Sequence, residues 1–299
     1  MLATLGDGPF DHKDWLYEIK WDGYRAIAEL SGQNVKVYSR NGISFLQLYP
    51  EVSEGLAKLK LNAVLDGEIV MLDKNGKSNF QYLQHLGDDD GSLVYYVFDI
   101  LRLNGKDLKK LPLIERKKQL SKLLAKSSGT VRYSDHVLET GKSLFKAATK
   151  KNLEGIIAKK ADSRYLVDVR SKEWLKIKHH NTEEAVIAGF TAPKGSRQHI
   201  GALILGMHRK GGWKYVGHTG TGFTQQILKE LFDKLKPYIR KTSPFNENIK
   251  VNAAVTWVDP VLVCNVKFTE KTRDGMLRHP VYQGLRIDKT AGETGQTGH

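Results

Sequence analysis

The run Glu18-Ile19-Lys20-Trp21-Asp22-Gly23-Tyr24-Arg25 puts two carboxylates, an amine and a guanidinium within eight residues. If its first part is extended, Glu18, Lys20 and Asp22 project from one face while Ile19 and Trp21 face a core. Gly23 then permits a tight turn that returns Arg25 to the same pocket. A lysine beside one aspartate is, taken alone, an ordinary solvated ion pair. Its amine, with a pKa near ~10.4, is protonated at neutral pH, and making it a nucleophile there takes roughly 4 kcal/mol of differential interaction. Burial and cationic neighbours can supply that. Trp174-Leu175-Lys176-Ile177-Lys178 offers such neighbours, since strand alternation sets Lys176 and Lys178 on one face, where they would depress the pKa of Lys20.

Outward from this run, short strand-like segments follow at Ala26 to Leu30, Val35 to Ser39, Val64 to Leu72, Leu93 to Leu101, Gly155 to Lys159 and Trp174 to Ile177. Leu113 to Ala125 and Ser143 to Lys151 carry helical periodicity. The pattern predicts an α+β domain with mainly antiparallel sheets over residues 1–181. The polar segment His179-His180-Asn181-Thr182-Glu183-Glu184 interrupts the apolar pattern and marks the boundary. Strands at Ala185 to Phe190, Ala202 to His208, Lys214 to His218, Val255 to Trp257 and Val261 to Phe268, with a helix at Thr224 to Tyr238, predict a small OB-type β-barrel over 182–290. The Gly/Thr-rich residues 291–299 are expected to form a flexible tail.

At 299 residues the chain suits two domains, and its formal charge of +14 favours a polyanionic partner, nucleic acid above all. The single cysteine, Cys264, sits in an apolar run and reads as a core residue, which excludes disulfides and multi-cysteine zinc sites. No apolar stretch approaches the roughly 20 residues that span a bilayer, and the start lacks a signal-peptide pattern, so no membrane association is expected. A cytoplasmic, nucleoid-associated monomer is the expectation. Lysines and arginines through Lys106 to Lys126 and Lys194 to Lys214 are candidate phosphate contacts.

Lys20-Trp21-Asp22-Gly23-Tyr24-Arg25 resembles the KxDGxR signature of the covalent nucleotidyltransferase superfamily. In the order that superfamily uses come Ser39-Arg40-Asn41-Gly42, Leu65-Asp66-Gly67-Glu68-Ile69-Val70, Val97-Phe98-Asp99-Ile100-Leu101, Glu154-Gly155-Ile156-Ile157-Ala158-Lys159 and Trp174-Leu175-Lys176-Ile177-Lys178. The run Gly275 to Lys289, with Trp257-Val258-Asp259-Pro260 and the opening residues, resembles ATP-dependent DNA ligases, most closely the ligase module of bacterial DNA ligase D, over nearly the whole chain.

That resemblance implies an adenylation domain followed by an OB-fold. It implies Lys20 as the nucleophile that takes AMP from ATP and passes it to a DNA 5′-phosphate, which the adjacent 3′-hydroxyl then joins. It makes Glu154 and Asp22 ligands of Mg²⁺ or Mn²⁺, Arg25 and Glu68 ribose contacts, and Phe98 a stacking partner of adenine, although a Phe in such a run, taken without its motif, is usually core. Glu18 would help orient adenine, Lys176 and Lys178 would meet the phosphates, and Arg40 the nick phosphate or AMP. Arg286, Asp288 and Lys289 would orient the leaving pyrophosphate through hinge motion around His179 to Glu183. Nicked duplex DNA is the implied substrate, with Ku and polymerase and nuclease modules as partners in double-strand-break repair. Many cellular ligases carry a large helical DNA-binding domain ahead of the nucleophile, whereas 19 residues precede Lys20 here, so the expectation is either weak nick binding by itself or reliance on partners. RNA ligases and GTP-dependent capping enzymes share Lys20-Trp21-Asp22-Gly23, and a degenerate, non-catalytic nucleic-acid binder is a further alternative. NAD-dependent ligases need a four-cysteine zinc site that one cysteine cannot build.

Overall fold

The computed structural model describes residues 1–84, 91–125, 127, 129–193, 195, 197–249, 251 and 253–295. The chain divides into two compact units, Met1–His179 and one that begins at His180.

The first unit runs β1 (Leu2–Leu5), β2 (His12–Ile19), β3 (Tyr24–Ser31), β4 (Asn34–Ser39), α1 (Pro50–Ala57), β5 (Asn62–Leu72), β6 (Ser92–Leu103), β7 (Lys106–Asp107), α2 (Leu113–Leu124), β8 (Val131–Tyr133), β9 (Val137–Glu139), α3 (Gly141–Lys150), β10 (Gly155–Lys160) and β11 (Arg170–Lys178). One sheet has the order β1-β11-β10-β2-β9 and the other β4-β3-β5-β6-β7, with β8 beside β6. All pairings are antiparallel except β1 with β11 and β8 with β6, as the antiparallel α+β expectation requires.

Strand β3 shows why these residues pair: Tyr24, Ala26, Ala28 and Leu30 are buried and the residues between them are not, a period of two with one face in the core. Strand β5 has both edges paired, to β3 and to β6, and is buried along nearly its whole length. The chain crosses from one sheet to the other at Lys20–Gly23. Trp21 fixes the crossing by stacking on Tyr96 of β6, ring centroids 3.8 Å apart and 4° from parallel, and by donating its indole N–H to Ser134 Oγ. Gly23 is required by close approach, not by the tight turn expected of it: a Cβ there would lie 2.1 Å from the Ile69 carbonyl oxygen of β5.

Helix α2 revises one expectation. Leu113, Arg116, Lys117, Leu120 and Leu124 share its inner face, and the two cations are fully buried. They are therefore removed from the set of candidate DNA-phosphate contacts. Arg116 forms a two-pronged pair with Asp99 of β6, at 2.8 Å for each hydrogen bond, and donates to the carbonyls of Leu111 and Ser163. Lys106, Lys110, Lys118 and Lys122 remain on the surface, whereas Lys126 and Lys194 lie outside the described residues.

The second unit contains β12 (Asn181–Thr191), β13 (Leu203–Arg209), β14 (Gly212–Thr219), α4 (Gln225–Leu235), β15 (Ile239–Arg240), β16 (Val255–Val258), β17 (Val263–Phe268) and β18 (Val281–Leu285). One edge of β12 pairs with β13. The other pairs first with β17, through Asn181 to Val186, and then with β16, through Gly189 to Thr191. A change of partner along one edge, next to a bulge, is how a small barrel turns its corner. Thr224 caps α4 by accepting the Ile227 N–H, and Ile227, Leu228, Leu231 and Leu235 face the core. Cys264 is a core residue as expected, its thiol pushed up to about 12 by burial.

Of the segment expected to be a flexible tail, 296–299 lie outside the described residues. Ala291–Glu293 instead form a 3-10 turn closed by a capping box with Thr290, and Thr294 Oγ1 accepts the His208 N–H. These bonds satisfy backbone groups that a loose tail would leave to water. No helix among the described residues is long and apolar enough to cross a membrane.

Candidate active site

The register of β2, β10 and β11 builds the site in rows. Leu16, Lys159 and Trp174 form one row, Glu18, Ile157 and Lys176 the next, and Lys20 lies beside Gly155 and Lys178. Residues opposite one another on neighbouring strands point to the same face, so Lys176, Lys178 and Lys20 share the side on which the sequence pattern set them. Gly155 at the head of β10 has φ +148°, and a Cβ there would sit 2.1 Å from the Ile177 carbonyl oxygen. Gly155→Ala is therefore expected to force β10 from β11 at a cost of about 1–3 kcal/mol. Urea titration measures this, and an unchanged midpoint contradicts it.

A cavity of about 130 Å³ opens on this face, lined by Glu18, Lys20, Arg25, Glu68, Phe98 and Lys159 among others. Five of these six are sequence-predicted site residues, drawn from three quoted runs and both sheets. Glu154 joins them through an ion pair with the Lys20 ammonium. Asp22 and Glu68 act on the same ammonium electrostatically. Arg40 stands in the turn after β4 and does not line the cavity.

The charge state of Lys20 departs from expectation. Burial lowers its pKa, but the charges of Glu154, Asp22 and Glu68 outweigh burial and raise it above the ordinary lysine value. Three carboxylates around the amine overcome the expected influence of Lys176 and Lys178. The amine is thus held as an ammonium with a carboxylate at its side.

Arg25 is held by a partner to which the sequence reading gave no role. Its Nε and Nη2 donate to the two oxygens of Asp66 at 3.0 and 2.6 Å, its Nη1 donates to the Met1 carbonyl, and Tyr165 donates its hydroxyl to the same carboxylate at 2.8 Å. Burial raises the Asp66 carboxyl, and the Arg25 guanidinium more than offsets it, leaving Asp66 below its ordinary value. The Arg25 guanidinium carbon lies 5.5 Å from the Phe98 ring centroid, so Asp66 orients both the cation and what it offers the cavity.

Lys159 and Trp174 were also left without roles, and Lys117 was counted only among the candidate DNA-phosphate contacts. Lys159 Nζ donates to Glu18 Oε2 at 2.9 Å and lies 4.3 Å from the ring centroids of both Phe98 and Trp174. Lys117 Nζ lies 2.7 Å from Glu18 Oε1. Lys159 closes one quoted motif and Trp174 opens another, a signal that could have found them. Lys117 lies in Glu115-Arg116-Lys117-Lys118, which looks like a solvated charge run unless the i, i+3, i+4, i+7 spacing from Leu113 to Leu120 is followed through the charges.

In the second unit, Arg286 donates from Nε and Nη2 to Asp288 at 2.8 and 2.7 Å, with both side chains largely buried, and Lys289 pairs with Glu184 at 3.5 Å.

A cation needs oxygen donors here, and Glu154 and Asp22 supply carboxylates. No group of three or more potential ligands occurs among the described residues. One or two carboxylates suffice for Mg²⁺ when phosphates and water complete its shell, so the donor set fits.

Residues 3–178 match the family model for the ATP dependent DNA ligase domain, and residues 196–289 that for the ATP dependent DNA ligase C terminal region. The multifunctional non-homologous end joining protein LigD of Pseudomonas aeruginosa is 37% identical, over 98% of this chain and 36% of its own length. That of Mycolicibacterium smegmatis is 40% identical, over 98% of this chain and 39% of its own. The chain thus spans under two fifths of these relatives. A solved structure of mycobacterial DNA ligase D complexed with ATP and MES is similar at TM-score 0.74 and 34% identity, covering 98% of this chain and 96% of that one. The ligase domain of Mycobacterium tuberculosis LigD is similar at TM-score 0.55 and 35% identity, covering 99% and 97%.

Proposed function

Because the chain belongs to the ATP-dependent DNA ligase family, we propose that it seals nicks in duplex DNA with Lys20 as the residue that carries AMP. The observation that supports this most is the convergence of Lys20, Glu18, Arg25, Glu68 and Phe98 on one cavity.

In the first step Lys20 Nζ attacks the α-phosphorus of ATP. The N–P bond forms, the bond to the bridging oxygen breaks, and pyrophosphate leaves. The attacking amine must first give up its proton and with it the ion pair to Glu154. Phe98 stacks on adenine, Glu18 orients it, and Arg25 and Glu68 hold the ribose. Arg25 enters this role already aligned by Asp66 and Tyr165, so little is lost in ordering it. Lys176 and Lys178 neutralise phosphate charge. Glu154 and Asp22 are the residues that would hold Mg²⁺ or Mn²⁺, which when bound adds positive charge against the phosphates. Arg286, Asp288 and Lys289 are assigned to the leaving pyrophosphate. AMP then moves to a DNA 5′-phosphate, met by Arg40, and the 3′-hydroxyl displaces AMP to close the strand. Positioning and charge neutralisation account for most of such catalysis.

Two named relatives are non-homologous end joining proteins, and the repair of double-strand breaks with Ku and with polymerase and nuclease modules is proposed for this chain by that similarity. The activity itself is tested by offering ATP or GTP with nicked DNA or nicked RNA duplexes. Joining of nicked DNA with ATP is the expected outcome. Reaction only with GTP, or only on RNA, contradicts it.

A further inference from the structure

Lys117 belongs to none of the nucleotidyltransferase motifs, yet its ammonium is fully buried beneath the cavity. It donates to the Ser134 carbonyl at 2.9 Å, lies 4.6 Å from the Tyr133 ring centroid and stands 2.7 Å from Glu18 Oε1. Lys159 takes the other oxygen of the same carboxylate. Glu18 is 2% exposed and Lys159 also 2%. Two buried ammonium groups thus face one buried carboxylate. One cation would balance Glu18, and a second adds a desolvation cost that a purely structural pair does not need. Moreover, the Glu18 carboxylate lines the cavity beside Phe98.

We infer that Lys117 is a positioning residue for purine selectivity: it keeps Glu18 an anion, placed to accept a hydrogen bond from the 6-amino group of adenine and to repel the 6-oxo group of guanine. The inference rests on the ATP reading above. A charged carboxylate accepts hydrogen bonds and donates none, so it suits an amino group and opposes a carbonyl. A protonated carboxyl can donate, and would tolerate both. Burial by itself raises the Glu18 carboxyl, and the ammonium groups of Lys117 and Lys159 together hold it below its ordinary value. With Lys117 removed, burial has only Lys159 against it, and the discrimination weakens.

The test measures covalent nucleotidylation of the enzyme with ATP, GTP and purine riboside triphosphate, which lacks the 6-amino group, for the wild type and Lys117→Met. In the wild type, purine riboside triphosphate should be used about 10-fold less well than ATP in kcat/KM, because a buried acceptor is left unfilled. Lys117→Met should bring that ratio close to one and relax ATP-over-GTP preference by about 10-fold or more, chiefly through KM. If Lys117→Met does not fold by thermal melting, Lys117→Gln keeps a donor for the Ser134 carbonyl while removing the charge, and the same ratios decide. A folded variant that retains wild-type ratios overturns the inference, as does a wild type that uses ATP and purine riboside triphosphate equally. A wild type that takes no label from ATP at all refutes the ligase reading instead, so the two failures are distinct.

Discussion

Lys20→Ala loses covalent labelling by ATP, and nick joining falls by on the order of 10⁴-fold or more, the scale on which removal of a covalent nucleophile acts. The alanine variant lacks the amine assigned to form the N–P bond; the other amine lining the cavity, Lys159, is tied to Glu18, and Arg25 is a guanidinium bound to Asp66. Lys20→Arg separates chemistry from architecture. It keeps a positive charge beside Glu154, so the ion pair and the stability it contributes can persist. A guanidinium stays protonated at any working pH and cannot attack, so Lys20→Arg should be as inactive as Lys20→Ala but melt closer to the wild type. Nick joining by either variant within 10-fold of the wild type would contradict the assignment, and the assay is gel-resolved joining of a labelled nicked duplex.

Asp99→Ala is the substitution expected to cost most in stability, about 3–5 kcal/mol, because it strands the Arg116 guanidinium. Both side chains are fully buried, and the pair joins α2 to β6, the strand that carries Phe98. For a chain of this size such a loss lowers Tm by on the order of 10 °C. Replacing both partners, Asp99→Leu with Arg116→Met, removes the stranded charge as well as the pair and should recover most of the loss. Thermal melts of the single and double variants check this. A single variant within about 1 kcal/mol of the wild type would show that water reaches Arg116, against its burial here.

Strand positions were legible where one face is buried, as in β3 and β4, because alternation is a local signal. Helices α2 and α3 were legible for the same reason, with ends within two residues of the expected ones. Helix α1 was not: it is eight residues long, buries only Val52 and Leu56, and includes Gly55. Strand β1 was missed because it is fixed by a parallel partner, β11, more than 160 residues away, which no short window contains. Strand β18 falls inside the closing motif, where the apolar residues are spaced by Gly284 and charged neighbours.

The site divides along similar lines. Lys20, Glu18, Arg25, Glu68 and Phe98 could be placed together because ordered motifs carry them. What escaped were the residues whose importance lies in a long-range pairing. Asp66 was visible within its motif, but its bond to Arg25 and Tyr165 depends on how β3, β5 and the loop before β11 meet. Lys117 was disguised by Glu115 and Lys118, which are on the surface while it and Arg116 are not. The expectation that Lys176 and Lys178 set the charge of Lys20 failed because Glu154, 134 residues away, lies beside the amine.

Incubation with ATP labelled at its α-phosphate, followed by denaturation, digestion and location of the label, goes most directly to the claim that Lys20 carries AMP. The label should survive denaturation, be lost in acid as expected of an N–P bond, and map to the peptide containing Lys20. Label on another residue, or undiminished label on Lys20→Ala, would contradict it.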